Sequence, residues 1–225
     1  MNKTITITID GPAGAGKSTV SKLLASKIGY VYVDTGALYR GVALEVKKAK
    51  IDYKDKNRLS ELLKDIKFDC EMKNNNFRLM SNSSDISGKI RTSEISMLAS
   101  KVSAEPMVRA TLLGIQKDIA VRYNAVFEGR DMGTVVFPEA QYKFFLIADL
   151  KTRAQRRYKE VIGSSPLKVL NNLNKIEKDI ATRDHHDSTR AESPLEPAAD
   201  SVLIDSTNLT IEQVVDKMYS TLKIS

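Results

Sequence analysis

The amino-acid sequence predicts an α/β fold in which a parallel five-stranded sheet is flanked by helices, with a small inserted β-containing subdomain and a helical lid. Short strand patterns alternate with helical patterns, a glycine-rich turn joins the first strand to the first helix, and one polar segment interrupts the alternation. Strands that alternate with helices pair in parallel through right-handed crossovers. The 225 residues suit a single domain, 1–225, with a small insertion.

The first four elements follow directly along the chain. Isoleucine and threonine alternate over 4–10, which predicts a strand, and a helical pattern covers 17–28. A second strand over 30–33 leads into a second helix that begins near Gly36. Gly29 suits the C-terminal end of the first helix, where the backbone often turns left-handed.

The segment from about 51 to 90 interrupts this alternation. It is charged and polar, and strand patterns at 68–72 and 77–80 flank an asparagine-rich turn at 74–76. We therefore predict a β-hairpin within an inserted subdomain.

The second half of the chain returns to alternating helices and strands. Helical patterns cover 93–121, with a break at Pro106, which lacks a backbone N–H. Thr210 and Gln213 form a capping-box pattern that predicts the start of the last helix. Three further strands are predicted at 125–127, 144–148 and 201–204.

The composition limits the classes of protein. The chain has 35 Lys and Arg against 28 Asp and Glu, and the net charge of +7 indicates an anionic partner. The single cysteine, Cys70, rules out an intrachain disulfide and suits a reducing compartment, so we expect a cytoplasmic protein. Because no apolar run approaches about 20 residues and no signal peptide is apparent, no membrane partner is expected.

The most specific motif is the glycine-rich turn, a G-x-x-x-x-G-K-S pattern between a strand and a helix. Its backbone N–H groups and the helix N-terminus can surround a phosphate. Lys17 would reach the β- and γ-phosphates, and the Ser18 hydroxyl would ligate Mg²⁺. The predicted ATP-binding residues are Gly11, Pro12, Ala13, Gly14, Ala15, Gly16, Lys17, Ser18 and Thr19.

Three classes of protein use such a loop. A GTPase would need Asn-Lys-x-Asp, but the nearest string, 174–177, ends in glutamate and lies in a helical pattern. A nucleic-acid ATPase is favoured by adjacent acids after an apolar strand, whereas Asp149 stands alone after the fourth strand. A small-molecule kinase is therefore the leading hypothesis, and a nucleic-acid-stimulated ATPase remains a weaker alternative.

Charged residues follow two other strands. A Gly-containing turn, 34–36, opens the second helix, and Arg40 lies one turn later. Arg130 and Asp131 follow the third strand of the sheet pattern. An isolated pair of this kind more often forms a salt-bridged turn, but ligands of open α/β sheets bind at the carboxyl ends of strands. Their shared location therefore favours a second anion site.

Positive charge is concentrated after the fourth strand. The segment 143–190 contains 11 Lys and Arg against six Asp and Glu. Two basic helical faces flank a Gly-Ser-Ser-Pro break at 163–166, which is typical of a mobile lid over phosphates, here about 151–190. A solvated helix face is the alternative interpretation. The residues of these faces are Arg153, Arg156, Arg157, Arg183, Asp187 and Arg190.

Taken together, these residues resemble the bacterial cytidylate kinase family. The resemblance covers nearly the whole chain, and the string 129–138 is specific, the more so beside Asp-Thr-Gly-Ala at 34–37. The insertion at about 51–90 matches the enlarged CMP-binding subdomain of bacterial members. The other matching positions are 7–12, 38–40, 90–92, Ser100, Arg109, Arg183, 187–190, 197–200 and 204–206.

The resemblance implies roles around an acceptor nucleotide. They are cytosine contacts for Ser100, Arg109 and Asp131, phosphate contacts for Arg40, Arg130 and Arg190, ribose contacts for Arg183 and Asp187, and a place near the acceptor for Thr35. Glu128 departs from the aspartate of some members, and Asp34 and Asp131 are candidates for a carboxylate near Mg²⁺.

The implied reaction is transfer of the γ-phosphoryl group of ATP to CMP or dCMP. The attacking phosphate oxygen is already ionised, so no general base is needed, and Mg²⁺ assists the in-line transfer. The alternatives are a UMP-type or shikimate-type kinase. We expect a monomer that does not bind nucleic acid. The predicted catalytic residues are Lys17, Arg130, Asp131, Arg153 and Arg157.

Overall fold

A five-stranded parallel sheet forms the centre of the fold in the computed structural model, which describes residues 4–73, 76–164 and 173–224. The strands are β1 (Thr6–Asp10), β2 (Val31–Asp34), β6 (Ala125–Glu128), β7 (Tyr142–Ile147) and β8 (Val202–Asp205). They lie in the order β2-β6-β1-β7-β8. Each pairs in parallel with its neighbours, so the predicted sheet is confirmed.

Helices cover both faces of this sheet. Val126 and Phe127, consecutive residues of β6, point to opposite faces. Val126 belongs to an apolar cluster with Leu24 and Met218, whereas Phe127 belongs to another with Ile119. The α-helices are α1 (Lys17–Ile28), α2 (Thr35–Ala49), α3 (Lys56–Asp65), α4 (Ser93–Val102), α5 (Pro106–Arg122), α6 (Leu150–Ser164), α7 (Leu173–Thr189) and α8 (Ile211–Thr221), and a short π-helix, Met132–Val136, follows β6.

The local signals in the sequence act as predicted at several helix ends. Gly29 ends α1 in the left-handed region with φ of 70°. Pro106 occupies the first turn of α5, where its missing N–H costs no hydrogen bond. Thr210 and Gln213 form the reciprocal capping box of α8.

The predicted hairpin is present as a second, three-stranded sheet. Strands β3 (Phe68–Lys73) and β4 (Asn76–Ser81) pair antiparallel, and the short β5 (Ser84–Asp85) extends the sheet. The turn residues Asn74 and Asn75 lie outside the described residues. Helix α3, for which no helix was predicted, precedes the hairpin, and this region shares an apolar cluster with α2, α4 and α5.

The two helices of the predicted lid pack on the glycine-rich loop. Ala154 of α6 and the α7 residues Ile176 and Ile180 form a small apolar cluster with Ala13 of the loop. Ile176 is buried there, in agreement with the helical interpretation of 174–177. The predicted break at 163–166 lies partly outside the described residues. Within the described part of the chain, no helix combines the length and apolar character needed to span a membrane.

Gly11 marks a close approach between the loop and β7. Its φ is +143°, and a Cβ placed there would lie 2.0 Å from the carbonyl oxygen of Leu146. Only glycine accommodates both the backbone conformation and the contact.

We expect Gly11→Ala to lower the free energy of unfolding by about 1 to 3 kcal/mol or more, because the backbone itself obstructs the added methyl group. Gly114→Ala is the matched control, since a Cβ at this exposed position of α5 meets nothing within 4 Å. That control should raise the free energy of unfolding by about 0.5 to 1 kcal/mol. Urea denaturation measures both values. An unchanged free energy of unfolding for Gly11→Ala would contradict the close approach between the loop and β7.

Candidate active site

A cavity of about 520 Å³ opens at the carboxyl ends of β1, β2 and β6. Parallel strands end at one edge of their sheet, so the segments that follow these three strands meet there. The cavity is lined by the glycine-rich loop, the start of α2, the turn after β6, and residues of α4, α6 and α7.

The glycine-rich loop forms one end of the cavity. Gly14 and Gly16 have φ values of 76° and 93°, which allow the loop to turn into α1. Of the nine predicted ATP-binding residues, Gly11, Pro12 and Ala15 do not line the cavity. The residues that do line it are Ala13, Gly14, Gly16, Lys17, Ser18 and Thr19.

Lys17 is a buried cation beside other cations. Its Nζ donates a hydrogen bond to the Pro12 carbonyl oxygen at 2.8 Å. Burial lowers the pKa of Lys17 to about 7, and the positive charges of Arg130 and Arg183 contribute to the decrease. A phosphate group in this cavity would favour the charged form of Lys17.

An interlocked group of charged residues forms the other end of the cavity. Arg130 Nε donates to Asp187 Oδ2 at 2.9 Å, and Arg183 Nε lies 3.9 Å from the same oxygen. Ser100 Oγ donates to the other oxygen of Asp187 at 3.3 Å. Although burial opposes ionisation of Asp187, the neighbouring arginines hold its pKa below the usual range.

Asp131 joins two more arginines to this group. Its carboxylate accepts a hydrogen bond from Arg109 and lies 3.8 Å from Arg190 Nη2. The side chain of Asp131 is only 3% exposed, so the two guanidinium groups provide its charge compensation.

Thr35 and Arg40 connect this group to the end of β2. Arg40 Nη2 donates to Asp34 Oδ2 at 2.8 Å, and the buried Thr35 hydroxyl donates to the Glu128 carbonyl oxygen at 2.6 Å. Asp34 also caps α2, because its Oδ1 accepts from the Ala37 N–H. The structure thus brings together all nine predicted acceptor residues as cavity-lining residues: Thr35, Arg40, Ser100, Arg109, Arg130, Asp131, Arg183, Asp187 and Arg190.

The Ser18 hydroxyl contacts the carboxylate of Glu128, a residue with no predicted role in the site. Ser18 Oγ donates to Glu128 Oε1 at 2.6 Å, and the Tyr32 hydroxyl donates to Oε2 at the same distance. Hydroxyl and carboxylate oxygens are the hard donors that Mg²⁺ prefers, so Ser18 and Glu128 fit this ion. Asp34 and Asp131 are instead paired with arginines.

Asp10 is a second residue for which no role in the site was predicted. The sequence shows only that it lies at the end of a strand. Its two carboxylate oxygens accept hydrogen bonds from the backbone N–H groups of Met132 and Gly133, at 3.0 and 2.8 Å. Asp10 therefore fixes the turn that carries Arg130 and Asp131 against the strand that leads into the glycine-rich loop. Burial raises the pKa of Asp10, and the two N–H groups oppose this shift.

The three arginines of α6 have different surroundings, and only one of them lines the cavity. Arg153 does not line the cavity, because its guanidinium donates to the carbonyl oxygens of Ala148 and Ala13 and pairs with Asp184. Arg156 donates to the carbonyl oxygen of Ser206 at 2.6 Å. Arg157 alone of the three lines the cavity.

Comparison with known proteins identifies the family. The model of the family described as "Cytidylate kinase" matches residues 7–224. The chain belongs to the cytidylate kinase family. Cytidylate kinases of Citrifermentans bemidjiense and Ligilactobacillus salivarius are 43% and 44% identical to it. These alignments cover 97% and 99% of this chain and 93% and 98% of the relatives, and the predicted resemblance is confirmed.

Within this cytidylate kinase fold, the contacts of Arg153 support the glycine-rich loop. Asp184 holds the loop as well, because its Oδ1 accepts from the Ala13 N–H at 2.9 Å. Arg153 and Asp184 together connect α6 and α7 to the glycine-rich loop. The position of Arg153 under the loop differs from the predicted position over transferring phosphates, since the packing of α6 on the loop buries its guanidinium.

We expect Arg153→Met to lower the free energy of unfolding by about 3 kcal/mol, because it leaves the Asp184 carboxylate without its cation and two carbonyl oxygens without their donor. Arg157→Met is the matched control, since Arg157 is 41% exposed and pairs only with the exposed Glu160 among the ion pairs of the described residues. That control should change the value by less than about 1 kcal/mol. Equal free energies of unfolding for the two variants in urea denaturation would contradict the supporting role of Arg153.

Proposed function

We propose that this enzyme transfers the γ-phosphoryl group of ATP to CMP or dCMP, giving ADP and CDP or dCDP. One observation carries the proposal: a single cavity has a phosphate-binding loop at one end and the predicted acceptor residues at the other. Such an arrangement suits two phosphorylated ligands that must react with each other, because it holds both at once.

The donor end would hold the triphosphate of ATP. The backbone N–H groups of the loop and the N-terminus of α1 would face the phosphates, and Lys17 would contact the β- and γ-phosphates. Ser18 and Glu128 would hold Mg²⁺, which neutralises charge on the phosphates when it is bound. The short hydrogen bond between their side chains supports this pairing.

The acceptor end would hold the nucleoside monophosphate. Arg40, Arg130 and Arg190 would contact its phosphate, for which the planar guanidinium is suited. Arg183 and Asp187 would contact the ribose. Because Asp187 accepts a hydrogen bond from Arg130 and also lies 3.9 Å from Arg183, ribose and phosphate recognition would be coupled through this carboxylate.

Cytosine selectivity would come from Asp131, Arg109 and Ser100. A carboxylate accepts from the exocyclic amino group of cytosine, while an arginine or hydroxyl donates to its ring nitrogen or carbonyl oxygen. Uracil has a carbonyl oxygen in place of the amino group, which a buried carboxylate would repel. The near-complete burial of Asp131 supports this discrimination.

The reaction would need no general base. A phosphate oxygen of CMP is ionised near neutral pH, so the residues act by alignment and by stabilising negative charge. Lys17 would perform this task from the glycine-rich loop and Arg130 from the neighbouring turn after β6, and Arg157 would contribute from α6. The segment 151–190 would act as the lid and exclude water.

The insertion at about 51–90 would support the acceptor end. None of its described residues lines the cavity, but Leu59, Leu79 and Ile86 share an apolar cluster with residues of α2 and α4, which carry Arg40 and Ser100. We propose that the insertion positions these helices as a CMP-binding subdomain. That the enzyme is a cytoplasmic monomer without a nucleic-acid partner stays a prediction.

An acceptor panel tests the proposed function. With MgATP, formation of ADP should be fastest with CMP and dCMP and slower by about 10-fold or more with UMP. Uracil would place a carbonyl oxygen against the buried Asp131 carboxylate, which would lose its hydrogen-bond donor. AMP, GMP and shikimate complete the panel. No acceleration by CMP would contradict the proposal, turnover of shikimate would select another kinase, and stimulation by RNA or DNA would support an ATPase.

Matched lysine variants assign the activity to this cavity. Lys17→Ala should lower kcat by about 100-fold or more, because the variant lacks the cation that would stabilise negative charge on the phosphoryl group during its transfer. Lys27→Ala should leave kcat unchanged, because Lys27 pairs with the exposed Asp216 on the surface.

A further inference from the structure

The hydroxyl of Tyr32 makes a contact that the mechanism above does not use. Tyr32 lies on β2, beside β6, and is 4% exposed. Its hydroxyl donates to Glu128 Oε2 at 2.6 Å, while Oε1 accepts from Ser18. The carboxylate of Glu128 is thus held between one hydroxyl behind the cavity and one hydroxyl within it.

This arrangement restricts a side chain that is otherwise adaptable. A glutamate reaches its carboxylate through three rotatable bonds, and a buried carboxylate requires partners for both oxygens. With Oε2 occupied by Tyr32, Oε1 is the oxygen that remains for the cavity. The next residue but one on β2, Asp34, pairs with Arg40, so it does not compete for this position.

The Tyr32 hydroxyl is the donor of its hydrogen bond to Glu128, because an ionised carboxylate has no proton to donate. Lys22 Nζ lies 5.5 Å from the centroid of the Tyr32 ring. Carboxylates that ligate metals are commonly hydrogen-bonded by a second side chain, and the Tyr32 hydroxyl makes such a bond to Glu128.

We propose that Tyr32 is a positioning residue, which orients the Glu128 carboxylate so that Glu128 and Ser18 together bind the magnesium ion of the donor nucleotide. The proposal rests on the proposed function, because it concerns the Mg²⁺ that accompanies ATP. It assigns Tyr32 no contact with either nucleotide. Partners of this kind change metal affinity by about 10- to 100-fold when they are removed.

Calorimetric titration separates the metal from the nucleotide. Tyr32→Phe removes one hydroxyl and keeps the ring, so we expect affinity for MgATP to fall about 10-fold. Affinity for ATP in excess EDTA should stay at the wild-type value, because the loop and Lys17 are unchanged. Tyr142→Phe is the matched control in the same sheet, since its hydroxyl accepts only from the backbone N–H of Lys223 among the described hydrogen bonds.

A metal signal independent of turnover completes the test. Electron paramagnetic resonance of Mn²⁺ titrated into the ATP complex should give a weaker metal affinity for Tyr32→Phe by a similar factor. Glu128→Gln should show a comparable loss, and the double variant should show little further loss, because the two side chains act as one unit.

Two results would overturn the proposal. One is unchanged affinity of Tyr32→Phe for both MgATP and Mn²⁺. The other is an equal loss of affinity with and without metal, which a general packing defect would produce. A wild-type protein that binds neither form of ATP would overturn the proposed function as well, so the two failures are distinguishable.

Discussion

The crowding of buried cations in one cavity is the constraint on which the rest of the site depends. Burial and the charge of Arg130 lower the pKa of Lys17 to about 7 and that of Arg183 to about 10. These shifts mean that the cavity without anions disfavours the charges that it contains. Phosphate groups would supply the missing negative charge, and two nucleotides together would supply more of it than either one.

Buried carboxylates hold these cations in place. Asp187 contacts Arg130, Asp131 joins Arg109 and Arg190, and Asp10 fixes the turn between them by two backbone hydrogen bonds. Removing one partner of such a group leaves a buried charge uncompensated, which costs several kcal/mol. These pairs hold the side chains to one another, which lowers the cost of ordering them around a substrate.

Local patterns in the sequence were sufficient for much of the fold. Alternation over 4–10 and the helical pattern over 17–28 predict elements that the structure contains, because strand and helix periods depend on nearby residues. The same holds for the hairpin at 68–80 and for the capping box of α8. The residues after the strands were predicted as a site because parallel strands end at a common edge.

Contacts between distant segments were beyond such patterns. Ser18 and Glu128 are 110 positions apart, and they meet only because β6 lies beside β1 in a strand order that differs from the chain order. The pairing of Asp10 with Gly133 spans 123 positions for the same reason. Helical spacing places Arg153 and Arg157 on one face, but only the packing of α6 decides that Arg153 supports the loop.

We propose that one cavity holds two nucleotides with their phosphates adjacent. A dinucleotide in which a chain of five phosphates joins cytidine to adenosine tests it most directly, because it could occupy both ends at once. We predict that one molecule binds per chain and that it inhibits competitively against both ATP and CMP. Competition against only one of them, or two molecules bound per chain, would contradict the binding of both nucleotides in one cavity.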